Sequence, residues 1–303
     1  MALKITKACD PIEVKTIAAC FYATPGIGKT TLGFTADKPL LLDFDKGAYR
    51  SGNRSDCVEV DTWGDVARIT REDLEPYKTL IVDTAGRALD ALTVDIIAEN
   101  PKLGRGGALT LQGYGELKSR FTAWMKLIRS FGLDVVLICH ADEQRKGDEL
   151  IERLDIQGGS KNEIYKSADV MGRLYLEGGK RILNLNPTDT AFGKNPAQLP
   201  PLEVPHFAEA PQFLAGVIER IKGALNKQSA AQLEVAGMLA EWKAKIDEAA
   251  TVEDFNALIP QTQTADERVR TNVKRLLTKT AKERGFTFDQ KSKAFVAEKK
   301  EAA

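Results

Sequence analysis

Cysteine and histidine are scarce in this chain of 303 residues, which has four of the first and two of the second. The cysteines form no CxxC pair and have no histidine cluster near them, which argues against a zinc site or a disulfide framework. No apolar run approaches the length of a membrane-spanning helix, and the first residues lack the apolar core of a signal peptide. We therefore expect a reducing, cytoplasmic compartment and no membrane partner.

Neither sign of charge is in excess, because 43 Lys and Arg residues balance 43 Asp and Glu residues. Attraction to nucleic acid over the whole surface is therefore not expected, and any such binding must come from local patches. Hydrophobic residues make up 43% of the chain, an ordinary value for a folded protein. The length allows one α/β domain with a smaller appendage.

The most informative stretch follows the apolar run 17–22 and reads Ala-Thr-Pro-Gly-Ile-Gly-Lys-Thr from Ala23 to Thr30. It fits the phosphate-binding pattern GxxxxGK[ST] except at the first position, where Ala23 replaces glycine. In this pattern backbone N–H groups surround phosphate oxygens, the lysine neutralises the β- and γ-phosphates, and the hydroxyl binds Mg²⁺. The alternative is a Gly-Pro turn that leads into a helix. The sequence predicts a nucleotide site formed by Thr24, Pro25, Gly26, Ile27, Gly28, Lys29, Thr30 and Thr31.

Two further apolar runs end in acids, at residues 40–45 and 79–84. Each has the character of a buried strand, and ligands of open α/β sheets gather at the carboxyl ends of such strands. The second run ends in Asp83, which we predict holds Mg²⁺ opposite Thr30. A strand that simply stops at an Asp-Thr turn is the alternative.

Strands and helices alternate as far as residue 211, which predicts a mainly parallel, doubly wound α/β sheet in a core of residues 1–211. Six prolines within 186–211 predict an extended strap. A linker helix is expected at 212–228 and a basic helical region at 229–303, with one helix stopped by Pro260. From Arg268 onward there are eleven Lys and Arg residues against four Asp and Glu residues, which fits either a solvated bundle contacting a partner subunit or a nucleic-acid patch.

The acids identify a family resemblance. Asp83 is followed by Thr84 and not by Glu, and the strand directly after the P-loop helix ends in Asp43-Phe44-Asp45. In this arrangement of acids the chain resembles the RecA-like ATPases, and the resemblance covers roughly residues 15–195. The resemblance implies a RecA-like P-loop NTPase core that binds ATP and Mg²⁺ and hydrolyses ATP, with Asp45, where the family has Glu, activating the attacking water. Asp43 and Glu143 are the other candidates for that role.

The resemblance implies two more catalytic residues, which complete the set Lys29, Asp45, Asp83, His140 and Lys194. His140 ends the apolar run 133–140, where the family has a residue that senses the γ-phosphate. Lys194, in Phe-Gly-Lys-Asn, resembles the lysine that reaches the phosphates of a neighbouring subunit. A locally hydrogen-bonded histidine and a solvated lysine are the respective alternatives.

Two polar loops, at about 100–113 and 141–163, sit where the family has its DNA-binding loops. We expect their cations to contact the phosphates of single-stranded DNA: Lys102, Arg105, Arg145 and Lys146. The compact core and lysine-rich tail look most like phage-encoded ATPases of single-strand annealing and recombination. That likeness implies a homo-oligomeric ring or filament in the cytoplasm of a bacterial host, with a single-strand binding or replication protein as a further partner. A helicase-like motor or loader, and an ATP-binding scaffold with little turnover, are the alternatives.

Overall fold

The structure is a computed structural model that describes residues 6–7, 10–146, 149–156 and 161–297. Its strands are β1 (Ala18–Ala23), β2 (Pro39–Asp43), β3 (Cys57–Glu59), β4 (Thr79–Asp83), β5 (Gly104–Arg105), β6 (Ala108–Leu109), β7 (Asp134–Lys146), β8 (Glu149–Leu154), β9 (Val170–Glu177), β10 (Lys180–Asn184), β11 (Leu202–Val204), β12 (Phe286–Asp289) and β13 (Ala294–Ala297). Its α-helices are α1 (Lys29–Gly33), α2 (Gly64–Ala67), α3 (Ala85–Glu99), α4 (Leu111–Ser130), α5 (Lys161–Ser167), α6 (Phe213–Glu248), α7 (Val252–Gln263) and α8 (Glu267–Glu283).

The main sheet has the strand order β11-β10-β9-β1-β7-β4-β2-β3, and β8 pairs with the far end of β7. The six strands from β9 to β3 are parallel, whereas β8, β10 and β11 are antiparallel to their neighbours. Strand β7 lies between β1 and β4, so that Ala23 is level with His140 and Asp83 with Ile138. The carboxyl ends that carry the predicted site residues therefore meet at one edge of the sheet.

The central strands are apolar throughout because both faces of the sheet are covered. Alternate residues of β1 point to opposite sides: Cys20 and Tyr22 pack in one core with α3 and α4, while Ala19 and Phe21 pack in the other with α1 and the first turns of α6. Every residue of β1 is buried. The mainly parallel sheet with helices on both faces, followed by C-terminal helices, confirms the predicted fold class.

The chain divides into two compact units, a core unit of Val14–Leu225 and a second unit of the described residues from Asn226 onward with those before Val14. Residues 213–248 form one continuous helix, α6, so the stretch predicted as a linker helix at 212–228 lies largely in its first part. In the second unit, apolar side chains of this helix, among them Leu239, Trp242 and Ile246, pack with α7, α8 and the β12–β13 hairpin. No described helix combines the length and apolar character needed to span a bilayer.

Three local predictions need correction. Helix α7 does not stop at Pro260 but continues to Gln263, because a proline removes its own N–H bond and leaves those of the following residues intact. The tail is not wholly helical, since Phe286–Asp289 pairs with Ala294–Ala297 as a hairpin. The polar stretch after His140 is not an open loop, because β7 runs on to Lys146 and pairs with β8.

A buried ion pair anchors the start of β7. Asp134 accepts hydrogen bonds from the Ile17 N–H at 2.8 Å and from Lys222 Nζ at 2.7 Å. We expect Lys222→Met to lower the free energy of unfolding by about 3 kcal/mol, because removing one partner leaves an uncompensated buried charge. Urea denaturation measures this. Glu219→Gln removes only the exposed third member of the group and should cost less than about 1 kcal/mol; equal urea midpoints for both variants would contradict the assignment.

Candidate functional site

The loop between β1 and α1 has the backbone conformation of a phosphate cradle. Gly26 and Gly28 have φ angles of +83° and +99°, a region that favours glycine. Helix α1 begins directly afterwards at Lys29, and its first turn contains Thr30 and Thr31. The side chain of Thr31 is hydrogen-bonded to Ser51 at 3.0 Å. The predicted residues 24–31 therefore form one continuous loop and helix start, with N–H groups available to an anion.

Lys29 is buried at the centre of this loop. Its Nζ donates to the carbonyl oxygens of Ala23 at 3.1 Å and Thr24 at 3.0 Å. The pKa of Lys29 is lowered, chiefly because burial disfavours the charged ammonium. Among the described residues no carboxylate is a hydrogen-bond partner of this ammonium, which suits it to the phosphates of a nucleotide.

Thr30 and Asp83 meet across the sheet edge, where the Thr30 hydroxyl donates to Asp83 Oδ2 at 2.6 Å. Burial raises the pKa of Asp83 to about 6, against the opposing effect of the Thr30 hydrogen bond. The described residues contain no group of three His, Cys, Asp or Glu side chains that could hold a metal. Mg²⁺ needs no such group, because in phosphate-transfer sites it uses one or two carboxylates with phosphate oxygens and water. The hydroxyl, the carboxylate and its burial therefore fit Mg²⁺.

The two acids at the carboxyl end of β2, Asp43 within the strand and Asp45 just after it, have different environments. Asp43 is buried and accepts hydrogen bonds from the N–H groups of Gly47 at 3.0 Å and Ala48 at 2.9 Å, so it holds the turn that follows the strand. Asp45 lies in the site: its carboxylate is 3.7 Å from Arg87 and 3.8 Å from both Arg50 and His140. Of the two acids, the geometry therefore favours Asp45 over Asp43 as the group that orients water, because the Asp43 carboxylate is taken up by backbone N–H groups.

The backbone fixes Asp45 independently of its side chain. The carbonyl oxygen of Asp83 accepts hydrogen bonds from the N–H of Phe44 at 2.7 Å and from the N–H of Asp45 at 3.1 Å. Asp83 therefore has two roles: its carboxylate lies beside Thr30, and its carbonyl oxygen fixes the backbone of Phe44 and Asp45.

His140 lies between the two charged groups of the site. Its Nδ1 is 3.3 Å from Lys29 Nζ, and its Nε2 is 3.8 Å from Asp45 Oδ2. Burial, and then the charge of Lys29, lower the pKa of His140. A neutral ring with its proton on Nε2 can accept from Lys29 and face Asp45 as a donor. The structure thus brings together Lys29, Asp45, Asp83 and His140.

Lys194 is placed elsewhere. Its ammonium donates to the carbonyl oxygens of Tyr165 and Ala168, at the end of α5, and its backbone bridges to Met171. These contacts match the cation position that stabilises a helix C-terminus. The predicted role at a neighbouring subunit would require these bonds to break, and it stays a prediction.

Beside the nucleotide site is a cavity of about 390 Å³. It lies between the start of α3, the β5–β6 hairpin and the residues after β8. Its wall includes Thr84, Arg87, Asp90, Gly107, Leu109, Tyr114, His140, Asp155 and Ile156. Arg87 and His140 therefore face the cavity and also approach Asp45.

The predicted DNA-contacting cations lie in or beside two hairpins, β5–β6 and β7–β8. Lys102 and Arg105 are exposed next to the β5–β6 hairpin, and Arg145 is exposed on the β7–β8 hairpin. Lys146 is the last residue of β7. Sequence reasoning missed Arg50 and Arg87, although Arg87 carries a local signal, since it follows the Asp83-Thr84 strand end in the first turn of a helix that Thr84 caps.

A phosphate loop, a lysine within it, a hydroxyl–carboxylate pair for Mg²⁺ and a further acid on the next strand define the site of a P-loop ATPase. The sequence matches the AAA domain family over residues 15–197, more than half of the chain, and the chain belongs to that family. No curated protein matches it.

Two solved structures are similar to part of the chain. An ATPase from the type III secretion system of pathogenic bacteria is 16% identical, with a TM-score of 0.35, over 52% of this chain and 51% of that one. The chain thus spans about half the length of that ATPase. A KaiC-like protein from Pyrococcus horikoshii OT3 is 10% identical, with a TM-score of 0.34, over 56% of this chain and 78% of that one.

Proposed function

We propose that this protein is a DNA-dependent ATPase of the RecA-like class, which binds single-stranded DNA and promotes annealing or recombination. The observation that carries the proposal is the cavity beside the cation-bearing β5–β6 hairpin, because its wall contains Arg87 and His140. Both of these side chains are within 4 Å of the Asp45 carboxylate. A single DNA strand that enters this cavity would therefore lie one side chain away from Asp45, the acid proposed to orient water.

Within the nucleotide site each residue has a distinct task. Lys29 and the N–H groups of residues 24–31 bind and neutralise the phosphates, and Asp45 orients the attacking water. Thr30 and Asp83 would hold Mg²⁺, which supplies charge neutralisation for phosphoryl transfer when bound. His140 fixes the positions of Lys29 and Asp45 relative to each other, because it contacts both.

Coupling to DNA follows from the position of Arg87. Its guanidinium is shared between Asp45 at 3.7 Å and Asp90 at 3.3 Å, and it lines the cavity. A phosphate or base in the cavity competes for this guanidinium, which weakens its hold on Asp45 and releases the carboxylate toward water. DNA binding would then stimulate ATP hydrolysis.

The assembly is part of the proposal. Subunits would lie side by side in a ring or filament with ATP at the interface, where Lys194 of one subunit reaches the next. The proposal includes a further partner, which is a single-strand binding or replication protein in the cytoplasm of a bacterial host. An ATP-binding scaffold with little turnover is the second candidate, and two observations support it: Asp45 is held by two arginines, and its side chain is shorter than that of a glutamate.

DNA binding is tested by replacing two of the predicted DNA-contacting cations. Lys102, Arg105 and Arg145 have no ion-pair partner within the described ranges. We expect the double variant Lys102→Ala, Arg105→Ala to weaken single-strand binding about tenfold at low salt and to reduce the salt-dependence slope by about 1.4, near 0.7 for each lost phosphate contact. Fluorescence anisotropy of a labelled oligonucleotide over a salt series measures both quantities.

The matched control is Arg68→Ala, Arg71→Ala, which removes two exposed arginines from the connection between β3 and β4. It should leave the oligonucleotide affinity within twofold of the parent. ATP turnover is measured beside it, with and without the oligonucleotide. A parent protein that hydrolyses ATP but neither binds single strands nor is stimulated by them would remove the DNA part of the proposal and favour a motor or loader acting on a protein partner; ATP binding with almost no turnover would favour the scaffold.

A further inference from the structure

Arg181 stands at the same edge of the sheet as the phosphate loop. It is the second residue of β10, which runs antiparallel to β9, so the start of β10 lies at the carboxyl end of the parallel strands. Arg181 is level with Leu176 of β9, and Tyr22 of β1 is level with Arg173. Arg181 therefore lies beyond the last residue of β1, at the height of the loop. No phosphate-binding motif in the sequence includes it.

The guanidinium of Arg181 lies against the loop itself. A β-carbon placed on Gly28 would be 3.5 Å from Arg181 Nε and 3.8 Å from its Cζ. Gly28 directly precedes Lys29, so a second cation approaches the cradle from the β10 side. Both residues belong to the core unit and are joined through the hydrogen-bonded strands β1, β9 and β10. The sheet thus fixes the strand position from which Arg181 reaches the loop.

Within the part of the chain that the structure describes, no acceptor pairs with the Arg181 side chain, which is half-buried. Three other arginines of the core unit are paired: Arg173 with Glu152, Arg129 with Asp169, and Arg120 with acids on α3 and α4. A half-buried guanidinium with five donors and no acceptor in the described protein has its donors available to an anion. Next to Lys29 and the N–H groups of the loop, the missing partner is an anion.

We propose that Arg181 donates hydrogen bonds to the phosphate chain of the nucleotide held by the P-loop of its own chain. The inference rests on the proposed nucleotide binding at the P-loop and not on DNA binding. A planar guanidinium matches phosphate oxygens with two parallel N–H donors. Arg181 would therefore act together with Lys29, from the opposite wall of the cradle.

The test compares Arg181→Ala with Lys180→Ala in the full chain. Lys180 is the neighbouring cation, but it is paired with Glu203 on β11 at 2.7 Å, and adjacent residues of a strand point to opposite faces. Calorimetric titration with Mg-ATP, and with the base-free anion tripolyphosphate, gives both affinities. Arg181→Ala should weaken both about tenfold or more, as expected for a charged hydrogen bond. Arg181→Lys should recover part of the loss, and Lys180→Ala should stay within twofold of the parent.

Each other outcome overturns the proposal. If Arg181→Ala lowers the affinity for ATP but not for tripolyphosphate, Arg181 contacts the nucleoside and not the phosphates. If neither affinity falls, Arg181 does not contribute to the nucleotide site. Thermal unfolding without nucleotide shows whether Arg181→Ala is folded, and Arg181→Gln provides a second variant if it is not. Mixing Arg181→Ala with Lys29→Met should restore no turnover, because in each chain the site is defective; restored turnover would place Arg181 in a neighbour's site. A parent that does not bind ATP would instead refute the nucleotide site as a whole.

Discussion

Asp45→Asn is expected to lower kcat for ATP hydrolysis about 100-fold or more while changing ATP affinity less than threefold. The carboxylate contacts Arg87, Arg50 and His140 at 3.7–3.8 Å, and its backbone is held separately by the Asp83 carbonyl. The amide keeps the size of the side chain but cannot accept a proton or orient water with a full negative charge, and such groups contribute about 10²- to 10⁴-fold. Steady-state hydrolysis and equilibrium nucleotide binding measure the two effects.

Asp43→Asn is the matched comparison, on the same strand end and with the same chemical change. Asp43 accepts two backbone hydrogen bonds, so an amide in its place leaves at least one N–H group facing an NH₂ group or a weaker acceptor. We expect it to lower the unfolding temperature more than Asp45→Asn does. If Asp45→Asn hydrolyses ATP as fast as the parent, Asp45 does not activate water, and Glu143 on β7 becomes the candidate to test.

Lys29→Met is expected to abolish ATP-dependent stabilisation without destabilising the protein alone. The parent with ATP at 100 times its dissociation constant gains about 2.7 kcal/mol of folding free energy, whereas the variant should gain almost none. Without nucleotide, Lys29 is buried and its pKa is lowered by burial, which means that folding disfavours its charge at neutral pH. Replacing the ammonium with an apolar group of similar length should therefore leave the unfolding temperature unchanged or raise it.

Thermal unfolding with and without Mg-ATP checks both parts of this expectation. Lys126→Met is the control, because Lys126 is an exposed lysine of α4 and should change neither quantity. A variant at position 29 that still gains stability from ATP would show that the nucleotide does not use this loop. A large fall in the unfolding temperature without ATP would show that the hydrogen bonds to Ala23 and Thr24 outweigh the cost of burying the charge.

The sequence predicts well those features that consecutive residues form. The phosphate loop is one stretch of chain, and the strands β2 and β4 are short apolar runs, because a parallel strand covered on both faces needs apolar residues at every position. The acids that end these strands converge because parallel strands share one carboxyl edge. Thr30 and Asp83 could therefore be paired from their positions alone, and the structure places them 2.6 Å apart.

Features that depend on which groups meet in space were not predictable in this way. The sequence leaves Asp43 and Asp45 as alternatives, and only the turn at 46–48 decides between them, by drawing two N–H groups onto Asp43. Lys194 has a suitable position in the chain, yet carbonyl oxygens at the end of α5 take up its ammonium. Arg181 belongs to no sequence motif. Its position beside Gly28 results from the direction of β10.

The hydrogen bonds from Phe44 and Asp45 to the Asp83 carbonyl have a consequence for the evolution of this site. They involve only main-chain atoms, so the position of residue 45 does not depend on its side chain. Selection could exchange aspartate and glutamate there without rebuilding the surrounding fold, and so adjust how quickly the bound nucleotide is consumed. Hydrolysis rate and nucleotide affinity would then be inherited as nearly independent traits.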